Sequence, residues 1–277
     1  MTYKDMLVHV DNSKACAARL DAAIDLARTY KAHLTALYII PTYLIPIYAE
    51  AQISPQIFEA QREAAQTRAV EAEAVVKKAA AREDIAIEWR CIEGDWAGAF
   101  IQHTRYADLV IVGQTDSKDP QAVETGLHEQ VLLEAGRPLL FIPYIGVSRP
   151  IGKRVIVAWK ASREAVRAVN DALPLLINAD KVAVITINPH AGEDADSDVP
   201  NADICLHLAR HGVKAEAHKL WVTDVDVGNL LLSRAADEDA DLIVMGAYGH
   251  SRFREMILGG ATRQMLAQMT VPVFMSH

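Results

Sequence analysis

Two kinds of apolar pattern alternate along the first half of the chain. Short continuous runs of valine, isoleucine and leucine are typical of strands buried on both faces of a sheet, whereas apolar residues three or four positions apart indicate amphipathic helices. The first half therefore contains five predicted strands separated by four predicted helices. The strands are 6–10, 33–40, 85–92, 108–113 and 139–142, and the helices are 13–30, 56–82, 96–106 and 122–135.

The second half repeats this order. Its predicted strands are 154–158, 181–187, 214–220, 242–245 and 273–275, and its predicted helices are 162–177, 199–210, 227–237 and 261–269. The repeat predicts two domains, 1–146 and 147–277, joined by the short stretch 143–152. Because strands alternate with helices, the expected fold class is α/β. We expect two doubly wound domains, each a five-stranded parallel sheet with helices on both faces.

A glycine-rich segment follows the fourth strand of the second half. The apolar run ending at Gly246 is followed by Gly249 and, after nine residues, by the pair Gly259 and Gly260, which opens a helix. A strand, a glycine loop and a helix N-terminus bring unpaired backbone N–H groups and the positive end of a helix dipole into one small volume. Phosphate is the usual occupant of such a volume, so this segment predicts an anion site.

An altered copy of the pattern lies 133 residues upstream. Gly113 matches Gly246 and Gly126 matches Gly259, but Asp116 replaces Gly249 and Leu127 replaces Gly260. A carboxylate 4 Å from a phosphate costs about 4 kcal/mol at an effective dielectric of 20, whereas a helix N-terminus returns only about 0.3–1 kcal/mol. The first half is therefore predicted to bind no nucleotide.

Composition and charge exclude several classes of protein. The formal net charge is −8 and no block of basic residues offsets it, which argues against a nucleic-acid partner. The three cysteines, Cys16, Cys91 and Cys205, are widely spaced and suit a reducing compartment. No apolar run reaches the roughly 20 residues of a membrane span, and residues 1–6 lack the features of a signal peptide. The expected location is the cytoplasm, with no membrane partner.

The glycine spacing is similar to the nucleotide-binding signature of the universal stress protein family. The surrounding residues agree, because Val271-Pro272-Val273-Phe274-Met275 resembles the closing strand of that family and Val8–Ser13 resembles its opening strand and turn. The resemblance covers the whole chain as a tandem pair. It implies binding of ATP or AMP, with Mg²⁺ accompanying ATP, and pairing of the two domains through their last strands within one chain. It also implies a stress-response role through protein partners, without established catalysis; a homodimer of the chain is left open.

Two departures from the family pattern concern the ligand. Gly260 stands where nucleotide-binding members have serine or threonine, although Thr262 carries a hydroxyl two residues later. At the end of the first strand, where the family favours an acidic residue, the first half has Asp11 and the second half has Lys160. Lys160 is a candidate phosphate contact, and the preceding Trp159 would either stack on a base or fill the core.

The predicted nucleotide site lies in the second half, beyond the carboxyl ends of its strands. Its candidate residues are Ala158, Trp159, Lys160, Ile187, Asn188, Gly246, Gly249, His250, Arg252, Gly259, Gly260, Ala261 and Thr262. The alternative is a scaffold without nucleotide in which side chains close both sites, a reading that Gly260 and Lys160 favour.

Other candidate chemistry is weaker. His207 and His211 have helical i,i+4 spacing and His218 follows, which permits a metal site but equally fits a solvated face. The segment 41–55, rich in tyrosine and isoleucine, would be a lid, a partner surface or a loop packed on its own helix. No Ser-His-Asp order, GxSxG turn or P-loop occurs, so an enzyme is not expected and no residue is assigned to ATP hydrolysis.

Overall fold

The computed structural model describes residues 2–42, 55–124, 126–147, 150–188, 202–222, 226–249 and 260–277. Most of the segment 41–55 lies outside these ranges. The strands are β1 (Asp5–Val10), β2 (His33–Pro41), β3 (Ile87–Gly94), β4 (Leu109–Gly113), β5 (Leu139–Ile142), β6 (Arg154–Ala158), β7 (Lys181–Ile187), β8 (Ala215–Leu220), β9 (Leu242–Gly246) and β10 (Val273–Ser276). The helices are α1 (Cys16–Tyr30), α2 (Pro55–Glu83), α3 (Trp96–Thr104), α4 (Leu127–Glu134), α5 (Arg163–Ile177), α6 (Ala202–Arg210), α7 (Val227–Asp237) and α8 (Gly260–Gln268).

The ten strands form one continuous sheet in the order β3-β2-β1-β4-β5-β10-β9-β6-β7-β8. Within each half all neighbouring strands are parallel, as the alternation of strands and helices predicts. The two halves join where β5 and β10 pair antiparallel, with Phe274 opposite Leu140. The predicted α/β fold with two doubly wound halves is confirmed.

Helices cover both faces of the sheet, and each face has one hydrophobic core that runs through both halves. The first core packs α1, α2, α5 and α6 against the sheet. The second packs α3, α4, α7 and α8 against the opposite face. The central strands are therefore buried on both sides, which explains their nearly continuous valine, isoleucine and leucine content.

An aspartate opens the fourth strand of each half and binds the start of the neighbouring strand. Asp241 is buried and accepts hydrogen bonds from the backbone N–H groups of Gly152, Lys153 and Arg154, at 2.7–3.1 Å. Asp108 accepts the equivalent bonds from Lys4 and Asp5 at 2.7 and 3.1 Å. These contacts fix the relative position of the strands whose far ends build the candidate site.

Two predicted helix boundaries are wrong, and each has a local cause just before the helix. Ser13 was expected to begin the first helix, but its N–H and hydroxyl both donate to Asp11, and α1 begins at Cys16. The fourth helix was expected from residue 122 and begins at Leu127. Gly126, at a φ of +95°, precedes it in the left-handed region, where a helix interior cannot continue.

Two histidines are enclosed in the core of the N-terminal half. The rings of His9 and His128 lie 5.6 Å apart, and both pack edge-on against Trp96, at 5.2 and 5.4 Å. Burial lowers the pKa of His9 to about 3, against the pull of nearby Asp11, and lowers the pKa of His128 well below its ordinary value. Both rings are therefore neutral in the folded protein at neutral pH.

We expect Asp241→Ala to lower the free energy of unfolding by about 3 kcal/mol, because it leaves three backbone N–H groups without an acceptor. Asp108→Ala is the matched control and should cost about 1 kcal/mol, since the bonds that Asp108 makes are exposed to water. Urea unfolding of both variants measures the difference. An equal loss in the two variants would contradict this account of the motif.

We expect the protein to lose stability as the pH falls below about 6.5. The unfolded chain then takes up protons that the folded histidines cannot, and each histidine contributes up to about 1.4 kcal/mol per pH unit until the folded pKa is reached. His128→Leu should therefore flatten the dependence of unfolding free energy on pH between about 6.5 and 4. Phe141→Leu supplies the control, because it alters the core beside His128 without removing a titratable group. It should leave that slope unchanged, and an equal flattening in both variants would refute the explanation.

Candidate functional site

Three adjacent strands of the C-terminal half end at the candidate site. In the sheet register Ala158, at the end of β6, lies between Met245 of β9 and Ile185 of β7. Neighbouring parallel strands are about 4.8 Å apart, so Ala158 and Gly246 lie side by side at the carboxyl edge, with Ile187 two residues beyond Ile185. The structure thus brings together the ends of the strands that the sequence analysis selected.

Gly246 permits a close approach between β9 and the start of α5. A Cβ atom at this position would lie 2.5 Å from the backbone nitrogen of Ala165 and 2.6 Å from the carbonyl carbon of Glu164. Ser162 caps α5, accepting a hydrogen bond from Ala165 N–H at 3.3 Å. The first glycine of the motif therefore has a structural role, which is to place the N-terminus of α5 on the glycine loop.

The N-terminus of α8 faces the same loop. The hydroxyl of Thr262, a residue only 3% exposed, accepts a hydrogen bond from Tyr248 N–H at 3.3 Å. Among the described residues, no atom outside α8 lies within 4 Å of a Cβ built on Gly260, which is exposed. Ala261 follows in the same turn and is half-buried. The remaining predicted loop residues, His250, Arg252 and Gly259, lie outside the described residues.

Glu164 is a residue of this site that the sequence analysis missed. Its side chain is 12% exposed, and its Oε2 atom lies 3.1 Å from the Cβ position of Gly249. Burial raises the pKa of Glu164, but hydrogen bonds from its own backbone N–H and from Ser162 hold the net pKa below the ordinary value. A carboxylate thus covers the N-terminus of α5 beside Gly249. Its place in the first turn of a capped helix was the signal available in the sequence.

The other predicted contacts divide into structural and exposed residues. Trp159 is half-buried and packs against the core on the α1 and α5 face. Asn188 donates to the carbonyl of Val222 at 2.8 Å and accepts from its N–H at 2.9 Å, so the amide ties β7 to the end of β8. Lys160 is exposed at the edge of the site.

In the N-terminal half, the side chain of Arg19 from α1 covers Gly113, the glycine that corresponds to Gly246. The guanidinium group covers Gly113, where a Cβ atom would overlap Arg19 Nη1. Arg19 is 2% exposed, donates through Nε to the carbonyl of His9 at 2.7 Å and pairs with Asp11 at 2.8 Å. At the matching Gly246 it is the backbone of α5, at Glu164 and Ala165, that makes the close approach.

Two further carboxylates of the N-terminal half bind backbone N–H groups, and Lys14 and Gln121, which Asp119 binds, also line a cavity. Asp119 accepts hydrogen bonds from the N–H groups of Lys14 and Gln121, at 2.8 and 3.0 Å, and these bonds lower its pKa. Asp116, which the sequence analysis placed against a phosphate, instead accepts from Lys118 N–H at 2.9 Å. The group over Gly113 is therefore a cation. An arginine at the spacing of the apolar residues of α1 was the overlooked signal.

The structure also bears on metal binding and membranes. The rings of His207 and His211 are 4.7 Å apart. Among the described residues, no group of three or more histidine, cysteine, aspartate or glutamate side chains is arranged to hold a metal ion. In the same part of the chain, no helix has both the length and the apolar character needed to span a membrane.

Known proteins resemble this chain in sequence and in fold. Two universal stress proteins of Mycobacterium tuberculosis are each 28% identical over 137 residues, which is 46% of this chain and 49% of the relative. The match thus spans about half the length of these relatives. The crystal structure of a universal stress protein from Archaeoglobus fulgidus superimposes with a TM-score of 0.72, at 20% identity, covering 98% of this chain and 97% of that one.

A further solved structure is that of a universal stress protein in complex with cAMP. It is 19% identical and covers 52% of this chain and 99% of its own, at a TM-score of 0.34. The model of the universal stress protein family matches residues 2–143 and again residues 152–277. With two matches that together span nearly its whole length, this chain belongs to the universal stress protein family as a tandem pair of its domains.

Proposed function

We propose that this chain is a stress-response module that binds one adenine nucleotide in its C-terminal half and acts through protein partners rather than by catalysis. The observation that carries this proposal is the difference between Gly113 and the equivalent Gly246. The guanidinium group of Arg19 covers Gly113, whereas the atoms nearest to a Cβ at Gly246 belong to Glu164 and Ala165 of α5. The family, which includes a member solved in complex with cAMP, supports a nucleotide as the class of ligand.

The described residues fit a nucleotide as follows. The first-turn N–H groups of α8, from Gly260 to Thr262, suit a phosphate, because they lack partners within the helix and lie at its positive end. Lys160 adds an exposed cation at the same edge. The apolar ends of β6 and β7, at Ala158 and Ile187, suit the adenosine portion. ATP with Mg²⁺ and AMP are the proposed ligands.

A scaffold without nucleotide is the second candidate, and Glu164 favours it. Its carboxylate lies beside Gly249, so a phosphate on the glycine loop meets a like charge. At about 8 Å and an effective dielectric near 20–40, this repulsion costs roughly 1–2 kcal/mol. That cost is smaller than the gain from several backbone N–H contacts and a lysine, so we place the nucleotide module first.

Calorimetric titration with ATP, with and without Mg²⁺, and with AMP tests the proposal. We expect one nucleotide per chain with a dissociation constant below about 1 mM. Gly249→Asp, which copies the N-terminal half, should abolish binding because it adds a carboxylate about 3–4 Å from both Glu164 and the ligand, at a cost of about 4 kcal/mol. Absence of binding to the unaltered protein below millimolar concentration would leave the scaffold as the function.

Two controls separate charge from shape in this test. Gly249→Asn has nearly the same size as the aspartate variant, so it should retain more affinity if repulsion is the cause. Asp116→Gly restores the missing glycine of the N-terminal half, yet stoichiometry should remain one because Arg19 still covers Gly113. A second bound nucleotide in Asp116→Gly would show that Arg19 does not close that half.

Glu164→Gln should strengthen nucleotide binding by about five- to thirtyfold, corresponding to the removal of roughly 1–2 kcal/mol of repulsion. The amide keeps an acceptor for the Ser162 hydroxyl, so α5 remains capped. The measurement is the dissociation constant of ATP at low and at high salt, since screening should reduce the advantage of the variant. Equal affinities of variant and unaltered protein at low salt would show that the ligand does not lie near this carboxylate.

A further inference from the structure

Gln114 belongs to the N-terminal half but binds a helix of the C-terminal half. It directly follows β4 and is 6% exposed. Its Nε2 donates to the carbonyls of Leu266 and Ala267 at 3.0 and 3.1 Å, and its Oε1 accepts from Tyr144 N–H at 3.1 Å. Both amide hydrogens and the carbonyl oxygen therefore have partners. A fully satisfied buried amide is sensitive to replacement, because each lost bond leaves a partner without one.

The two carbonyls are those of the last turn of α8. Carbonyls at the end of a helix have no partner within it, and the helix dipole places partial negative charge there. No glycine follows Gln268 in the next residues to make a left-handed cap; the sequence continues Met269-Thr270-Val271-Pro272. Gln114 supplies two N–H donors where this helix needs them. It is a C-terminal cap donated from the other half of the chain.

The opposite end of α8 is the end that faces the glycine loop. The helix has nine residues and is about 13 Å long, a length at which a helix is marginal without tertiary contacts. Its first turn accepts one N–H, from Tyr248, through Thr262. Met265 and Leu266 are buried in the second core, and Gln114 adds directional hydrogen bonds at the C-terminal end of the helix.

The C-terminal half supports the matching helix α4 through a different contact. The residue that follows β9, at the position equivalent to Gln114, is Ala247, which has no side-chain donor. Arg167 of α5 instead donates to the carbonyl of Gly136, two residues after the end of α4.

We propose that Gln114 is a positioning residue: it holds α8 from the N-terminal half so that the first-turn amides of that helix keep a fixed place on the glycine loop. The consequence for ligand affinity rests on the proposed function. The contact between Gln114 and α8 does not depend on the proposed function, because it is present in the protein without ligand.

Gln114→Glu tests the inference with almost no change in shape. A carboxylate cannot donate to two carbonyls and repels them, so amide hydrogen exchange along α8, including residues 262–265, should accelerate at least tenfold in the ligand-free protein. Exchange in α3, which lies in the N-terminal half away from these bonds, should be unchanged. Gln130→Glu is the matched control, because Gln130 is exposed on α4 and bonds Glu134 at 3.2 Å; it should leave exchange in α8 unaltered.

The affinity for ATP with Mg²⁺ should fall about five- to tenfold in Gln114→Glu and stay constant in Gln130→Glu. If Gln114→Glu does not fold, Gln114→Met keeps the length of the side chain without its donors and should show the same effects at smaller size. Unchanged exchange in α8 would overturn the positioning role, as would faster exchange combined with unchanged affinity. If the unaltered protein binds no nucleotide, the proposed function fails, and exchange in α8 alone decides for or against Gln114.

Discussion

The antiparallel pairing of β5 with β10 is the contact on which the rest of the molecule depends. Each half alone would end in an open, fully apolar strand, and such an edge invites pairing with another chain. Joining the two edges makes one ten-stranded sheet and lets each hydrophobic core run through both halves. It also brings the loop after β4 against the last turn of α8, which is why Gln114 can reach across.

Within this shared sheet, different groups cover the matching glycines Gly113 and Gly246 of the two halves. A buried guanidinium is costly unless it is paired and hydrogen-bonded, and Arg19 meets both conditions through Asp11 and the carbonyl of His9. The N-terminal half thereby contains its own cation, which covers Gly113. At Gly246 the backbone of α5 takes the place of that side chain. The contacts of the first helix of each half therefore account for much of the asymmetry.

The parallel α/β fold and the tandem repeat could be predicted because they depend on periodic apolar patterns and on glycine spacing. What could not be predicted depends on where long polar side chains reach. Arg19 and Glu164 are charged residues on helices, ordinarily solvated, and their burial follows from tertiary packing rather than from local pattern. Gln114 is harder still, because its partners, Leu266 and Ala267, are backbone carbonyls some 150 residues away. The late start of α4 had a local cause, the left-handed Gly126.

The N-termini of α5 and α8 both lie beside the residues that follow β9, and they differ in charge. The N-terminus of α5 is satisfied by the Ser162 hydroxyl and covered by the Glu164 carboxylate, so it disfavours a phosphate. The N-terminus of α8 carries no acidic residue in its first turn. In the proposed site a phosphate would therefore lie nearer α8 than α5, which would leave the apolar ends of β6 and β7 for the uncharged part of the ligand. The affinity of the proposed site would therefore depend on the direction of α8, and so on the hydrogen bonds that Gln114 donates to it.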